Sequence, residues 1–259
     1  MVSFSTTLSV FCLQFLPAEN NSSSMFTISG TCNSEALNLV SPMAKPFRLF
    51  WAFVFLSNLV FSQLDDFFYN TGSHGVEHNM SLYGAAEIEK NGVLCLTNVT
   101  NRLFGQAFHP YPLLFKNSTD GTAFSFSTSF VFAIVPEYPR LGGNGLAFTI
   151  SATKELARAL PSQYLGLFNA TNTGNFSNHV FAVEFDTVQE MEFGDINDNH
   201  VGIDINSLVS NISATAAYFR NDSTKEELHL ISGKPIQAWI DYDSRRNQLN
   251  VTLSLAFFF

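Results

Sequence analysis

Between Val180 and Ser210 the chain gathers Glu184, Asp186, Glu190, Asp195 and His200. Several carboxylates and one imidazole in a short stretch are the donors of a cation site. The run Phe181 to Asp186 alternates. Phe181, Val183 and Phe185 share one side, and Glu184 and Asp186 share the other, because strand side chains repeat every two residues. A strand therefore offers both carboxylates to one ion, where a helix would turn them to nearly opposite faces. Val201 to Ile205 alternates again, so the stretch reads as strand, loop, strand. Glu184, Asp186, Asp195 and His200 suit a transition ion such as Mn²⁺. Asp186, Asp195, Glu190 and a backbone carbonyl form an all-oxygen set that suits Ca²⁺. On spacing alone, a solvated acidic loop with His200 capping a strand accounts for the same residues equally well.

Catalytic chemistry has less support. A glycosidase strand of the type Glu-x-Asp-x-Glu, as in jelly-roll laminarinases, needs a third acid where this chain has Val188. Acid and nucleophile then cannot be paired. Gly143-Asn144-Gly145 is no dinucleotide fingerprint, because Phe148 takes the place of the last glycine. G-x-S-x-G, H-E-x-x-H and Walker patterns do not occur. His74, His78 and His109 lie beside turns or prolines and read as surface residues. The chain is read as a non-enzyme.

The elements that must position the acidic stretch are strands. Ala85–Glu89 and Val93–Thr97 flank Asn91-Gly92, a hairpin signal. Leu103–Phe108 is followed by prolines that bar a central strand. Phe124 to Val135 puts Phe124, Phe126, Phe130, Phe132 and Ile134 on one face, the pattern of a half-buried strand. Further strands are expected at Phe67–Tyr69, Leu146–Ile150, Leu165–Phe168, Ala214–Phe219, Leu228–Ile231, Ile236–Tyr242 and Leu249–Leu255. Lys154–Leu160 is the one helical turn expected. No repeat or linker interrupts the series, so a single all-β sandwich is the natural architecture.

Composition agrees. Of 259 residues 28 are Phe, while charged residues make up 14%, which favours a thick apolar core between sheets. The net charge is −9 and no basic stripe is visible, so nucleic acid is not an expected partner.

The N-terminal part reads as a targeting segment. In residues 43–62, Lys45 and Arg48 precede an apolar run, and Val60 and Ser62 are the small residues before a cut at Ser62/Gln63. Residues 1–42 precede this complete signal peptide and are expected to be an extension ahead of a natural start at Met43. Cys12 and Cys32 fall in that extension. Cys95 remains and is expected to be a buried, inert thiol. The product is then a secretory-pathway protein, extracellular and independent of disulfides. Sequons at Asn79, Asn98, Asn117, Asn169, Asn175, Asn211, Asn221 and Asn250 agree with export.

Three motifs now carry a resemblance. EFD with Asp195 and HVGIDINS, GGNGLAFTIS, and YLGLFN resemble the signatures of legume lectins, in the family's order. SQYLGLFN, EFDTVQE and FGDINDNHVGIDIN look most like the ectodomains of plant lectin-type receptor kinases. The resemblance implies a jelly-roll sandwich with a flat back sheet and a curved front sheet, over residues 63–259. It implies Mn²⁺ held by Glu184, Asp186, Asp195 and His200, with Ser210 reaching the ion through water. It implies Ca²⁺ held by Asp186, Asp195, the Val188 carbonyl and the side chain of Glu190. Such a domain would run on into further strands, so the last strands are expected to be missing beyond Leu255. A membrane tether would belong to a fuller chain.

By the same resemblance the sugar site falls on Gly143, Asn144, Gln163, Val188 and Glu190, and there the chain departs from the family. Asn144 stands where the family has Asp, offering one acceptor and one donor group in place of a carboxylate. Val188 replaces an aromatic platform, Glu190 replaces Asn, and Gln163 replaces Gly. The Gly143–Asn144 peptide is expected to be cis. The function implied is extracellular carbohydrate recognition. The alternative is a receptor ectodomain that has lost simple-sugar binding and senses another extracellular ligand. A homodimer stays open.

Overall fold

The computed structural model describes residues 7–9 and 80–256, apart from 91, 117–120, 139–142, 155, 157 and 221–223. The expected signal segment, Phe67–Tyr69, His74, His78 and the sequons at Asn79, Asn117 and Asn221 lie outside that set. The strands in chain order are β1 (Thr7–Ser9), β2 (Ser81–Gly84), β3 (Glu87–Ile88), β4 (Leu94–Cys95) and β5 (Gly105–Phe108). Then come β6 (Phe126–Phe132), β7 (Gly145–Ser151), β8 (Val180–Asp186), β9 (His200–Ile205) and β10 (Ile212–Thr215). The series ends with β11 (Ala217–Phe219), β12 (Lys225–Glu227), β13 (Ile236–Asp243) and β14 (Gln248–Leu255). Two short 3₁₀ turns, Ser162–Tyr164 and Phe176–Asn178, complete the regular structure.

One sheet has the order β10-β9-β8-β7-β1-β5-β2, a second β14-β13-β6, and β3-β4 and β11-β12 form small hairpins. Every strand pair is antiparallel. The two larger sheets meet through aromatic side chains. Phe130 stacks on Phe148 at 6.2 Å and meets Phe185 edge-on at 6.0 Å, while Phe132 lies 5.0 Å from Phe185. These are odd positions of β8, the alternating face of β6 and, from β7, Phe148, which pairs with Val183, as their period of two requires. Ring separations in this range add about 0.5–1.5 kcal/mol per pair beyond area burial.

A second apolar cluster lies on the opposite face of the seven-stranded sheet. Ala147 of β7 and Ala182 of β8 supply its floor; Leu94, Leu96, Leu167, Phe168, Phe193 and Leu208 come from the chain that crosses above. Small residues on the strands leave room for large ones from the loops. The acidic loop between β8 and β9 is thus anchored by its own Phe193.

Several expected elements differ. Leu165–Phe168 is a turn, not a strand: Leu165 and Gly166 have φ of 49° and 68°, and Leu167 N–H donates to Tyr164 C=O at 2.8 Å. Its apolar residues fill the loop core, and burial without a sheet looks the same in sequence as a strand. No described residue of Lys154–Leu160 is helical; Pro161 instead precedes the 3₁₀ turn at Ser162. Leu228 and Leu230 are buried but follow β12, held by Asn199, which donates to Leu228 C=O and accepts from Leu230 N–H. Cys95 is half-buried, and its thiol donates to Glu89 at 3.3 Å, because β4 turns Leu94 into the second apolar cluster and so points Cys95 the other way. Among the described residues no helix is long and apolar enough to cross a membrane.

Candidate functional site

Strand register decides which polar side chains meet. β8 sends Phe181, Val183 and Phe185 toward the second sheet, so Ala182, Glu184 and Asp186 face the other way. Pairing of Asp186 with His200, Glu184 with Gly202 and Ala182 with Asp204 puts β9's polar residues on that same face. Glu184, Asp186, His200 and Asp204 are all buried, His200 and Asp204 completely. Ionisable groups are seldom buried this deeply without a partner.

His200 is fixed in orientation. Its Nδ1 lies 2.8 Å from the Asn197 carbonyl, which can only accept, so Nδ1 carries the hydrogen and, in the neutral ring, Nε2 presents its lone pair. Nε2 is buried and lacks a hydrogen-bond partner. It lies 3.5 Å from Glu184 Oε1 and 3.9 Å from Asp195 Oδ1. Ligand atoms of Glu184, Asp195 and His200 all fall within 4.8 Å of one another. Asp186 shares their face, and its Oδ1 accepts from Val188 N–H at 2.7 Å. Asp195 Oδ2 accepts from Glu190 N–H at 2.6 Å. An orphaned imidazole nitrogen facing carboxylates is the donor set of a divalent cation with mixed N and O ligands.

Ser210 lies beside these residues, with its Oγ 2.7 Å from Glu184 Oε1 and 2.8 Å from Asp204 Oδ1. One hydroxyl hydrogen serves one acceptor, so the second contact requires a proton on one of the two carboxylates. Burial, then the charge of Glu184, push Asp204 up to about 9. Asp204 was not among the sequence candidates, although its place four residues after His200 puts it on the same strand face. Gly202 makes the meeting of Glu184 and Ser210 geometrically feasible, since a Cβ there would overlap both Ser210 Oγ and Glu184 Oε1. Gly202→Ala is therefore expected to cost about 1–3 kcal/mol, as overpacking does. Thermal unfolding at unchanged temperature would contradict this packing account.

The charges strain against one another. Burial, then Glu184, raise Asp186 to about 8; burial also raises Asp195. For His200 burial acts downward, but Glu184, the Asn197 carbonyl and Asp186 outweigh it and raise the imidazole. The site is short of positive charge. Asp186 and Asp204 have folded values above the unfolded value of 3.8. The folded, chelator-treated protein thus holds more protons than the unfolded chain from about pH 4 to about pH 8–9. Its stability is expected to be greatest at the acid end of that window and to be lost as pH rises through it. Urea titrations at about pH 5, 7 and 9 in EDTA check the slope; rising stability toward pH 9 would contradict it.

The expected sugar-site residues are brought together in part. Gly145 has φ 119°, and a Cβ there would run into the Phe185 carbonyl, so glycine lets the loop before β7 lie against the end of β8. Thr187 secures that approach: its Oγ1 donates to Gly143 C=O at 2.5 Å and its N–H to Asn144 C=O at 3.3 Å. Asn144 Nδ2 then donates to Glu190 Oε1 at 3.0 Å. Val188, half-buried, lies between them in sequence. Gln163 sits on the Ser162–Tyr164 turn, whose Tyr164 ring meets Phe193 at 5.9 Å. No described hydrogen bond joins Gln163 to Asn144 or Glu190. The cis peptide expected at Gly143–Asn144 is absent, since no described peptide bond is cis. A non-proline cis bond costs about 3 kcal/mol, and Thr187 holds both carbonyls in the trans arrangement.

Comparison with known proteins places this architecture. The profile of the legume lectin domain matches residues 64–256, and the chain belongs to the legume lectin family. It is 51% identical over 200 residues to the L-type lectin-domain containing receptor kinase V.9 of Arabidopsis thaliana, covering 77% of this chain and 29% of that protein. It is 46% identical over 179 residues to the rice receptor kinase SIT2, covering 68% and 26%. The chain thus spans less than a third of these relatives. Among solved structures it resembles winged bean acidic lectin complexed with methyl-α-D-galactose, at 30% identity and TM-score 0.55, covering 69% of this chain and 70% of that one. Lectin I-B4 from Griffonia simplicifolia, in a metal-free form, gives 30% identity and TM-score 0.56, covering 71% and 76%. The all-β jelly-roll sandwich is the family's fold. The lectin domain is non-catalytic as a family, and its members generally bind Ca²⁺ and Mn²⁺.

Proposed function

We propose that this chain is an extracellular carbohydrate-recognition domain whose binding loop is shaped by Mn²⁺ and Ca²⁺ and which does no chemistry on its ligand. The observation that carries the metal reading is the buried, partnerless Nε2 of His200 facing Glu184 and Asp195. Glu184, Asp186, Asp195 and His200 would hold manganese, with Ser210 behind them. Asp186, Asp195, the Val188 carbonyl and Glu190 would hold calcium. Bound cations would supply the missing positive charge and stiffen the loop from Thr187 to Asn199. The chain's own contribution is the clamp of Thr187, Asn144 and Glu190, which holds two loops against each other. Metal analysis of the purified protein, with glycan-array binding before and after EDTA, tests the reading. Binding that survives complete metal removal would overturn it.

A second reading has its own support. The Asn144–Glu190 hydrogen bond occupies polar atoms at the expected sugar site, which favours a receptor-type ectodomain that senses a ligand other than a simple sugar. A fuller chain would carry the membrane tether. Entry into the secretory pathway through residues 43–62 belongs to either reading, with glycosylation at exposed sequons. Cleavage at Ser62/Gln63 would take Thr7–Ser9 off the chain, so N-terminal sequencing of the secreted protein checks it. A first residue other than Gln63 would count against the cleavage site.

A further inference from the structure

Asp195 and His200 are joined by a short link, Ile196, Asn197, Asp198 and Asn199. Ile196 and Asp198 are exposed, Asn197 is half-buried and Asn199 is buried, so the two asparagines turn inward. An amide is costly to bury unless its groups are matched, and both are matched here. Asn197 Nδ2 donates to Thr215 Oγ1 at 2.7 Å, and its Oδ1 accepts from Asn199 N–H at 2.9 Å. Its main-chain carbonyl is the group that faces His200 Nδ1. Asn199 Nδ2 donates to Leu228 C=O at 3.0 Å and to Glu227 Oε1 at 3.2 Å, and its Oδ1 accepts from Leu230 N–H at 3.0 Å. Its own C=O accepts from Ala216 N–H at 2.9 Å.

These bonds fasten the link to elements that carry no cation ligand. Thr215 ends β10, where it pairs with His200. Ala216 lies between β10 and β11, and the buried Leu228 and Leu230 follow β12. Leu228 C=O needs a donor and Leu230 N–H needs an acceptor, and a side-chain amide supplies both. An Asp at this position would have no hydrogen for the carbonyl and would set its charge against Glu227. Without the anchors, the Asn197 carbonyl could move off Nδ1 and the imidazole could turn.

We infer that Asn197 and Asn199 are positioning residues for manganese. Anchored to Thr215, Leu228 and Leu230, they hold the Asn197 carbonyl on His200 and so aim Nε2 at Glu184 and Asp195. The inference rests on the reading that this site takes a divalent cation, and adds to it two residues whose side chains belong to neither proposed ligand set. Partners that orient a ligating imidazole typically set about 10–100-fold in metal affinity. Here that share of the affinity is held by the segment from Thr215 to Leu230, through the two asparagines.

The test uses the full chain, freed of metal with EDTA and then titrated with manganese by calorimetry. Asn199→Ala is expected to bind manganese about tenfold more weakly than the parent. That variant leaves two buried backbone groups unpaired, so Thr215→Val covers the case in which it does not fold. Thr215→Val keeps a branched side chain, removes the anchor of Asn197 Nδ2, and is expected to weaken binding about threefold. Tyr218→Phe removes the hydrogen bond from the Tyr218 hydroxyl to Glu226 on the β11–β12 hairpin. It is expected to bind manganese as the parent does. Proton NMR of the metal-free proteins supplies a readout that a loss of stability alone does not move. The Nδ1–H signal of His200, identified by its absence in His200→Ala, is expected downfield and slow to exchange in the parent and in Tyr218→Phe. In Thr215→Val and Asn199→Ala it is expected to move upfield and exchange faster. Parent-like affinity or an unmoved signal in Thr215→Val, or equal weakening by Tyr218→Phe, overturns the inference and leaves the cation site standing. A parent that takes up no manganese overturns both.

Discussion

His200→Ala is expected to abolish manganese uptake and the stability that depends on it. The imidazole is the one nitrogen donor of the site, and its orientation is set by the Asn197 carbonyl 2.8 Å from Nδ1. Loss of a group that merely orients a ligand typically costs 10–100-fold in metal affinity, so removal of the ligand itself is expected to cost at least about 100-fold. At a metal concentration about 100 times the dissociation constant, binding adds about 2.7 kcal/mol. For a domain of this size that is a rise of roughly 5–10 °C in Tm. The parent is expected to show this rise when manganese is restored after chelation, and His200→Ala is expected to show none. His229→Ala, at an exposed residue paired only loosely with Glu227 at 3.9 Å, is the matched control. A full equivalent of manganese retained by His200→Ala would sink the assignment of this residue as a ligand.

Asn144 and Glu190 are expected to behave as one unit. The structure sets the Asn144 amide against the Glu190 carboxylate at 3.0 Å, so one amide hydrogen is engaged, and the second N–H and the oxygen are left for a ligand. Asn144→Asp alone would set two carboxylates against each other at that separation, and each would disfavour the charge of the other. It is expected to weaken both calcium uptake and ligand binding. Glu190→Asn alone removes the acceptor and an anionic ligand. The double variant restores one acid and one amide in exchanged places and is expected to bind simple sugars about tenfold or more tightly than the parent, a gain of about 1.4 kcal/mol. Adding Gln163→Gly, on the neighbouring turn, is expected to extend the gain. Coupling shows as a departure of the double variant from the sum of the singles. Strict additivity, with no gain in sugar binding, would mean that the pair does not govern specificity.

Much of the fold was legible where one face of a strand is buried. The alternation read over Phe124–Val135, Phe181–Asp186 and Val201–Ile205 locates three strands, which run over Phe126–Phe132, Val180–Asp186 and His200–Ile205, and the faces they bury. Asn91-Gly92 correctly marks a connection between β3 and β4. Apolar runs without alternation misled. Leu165–Phe168 and Leu228–Ile231 are apolar because loops cover a second core, and burial by a loop has no period. Ala214–Phe219 reads as one strand but divides at Ala216, whose N–H donates to Asn199 C=O while its C=O accepts from Leu228 N–H.

The candidate site divides in the same way. That Glu184 and Asp186 share a face was determined by the sequence itself, because a period of two is a local property of the backbone; that His200 belongs to the next strand rather than to the loop was decided by its pairing with Asp186. Tertiary structure alone decided what these residues meet. The register of β8 against β9 brings Asp204 and Ser210 to Glu184, and the gap at Gly202 lets them touch. The close approach at Gly145 allows Asn144 to reach Glu190 across a long separation in sequence, with the intervening peptide trans. Local spacing carries no record of such pairings, since they depend on which backbones can come close and on which side chains are small enough to permit it.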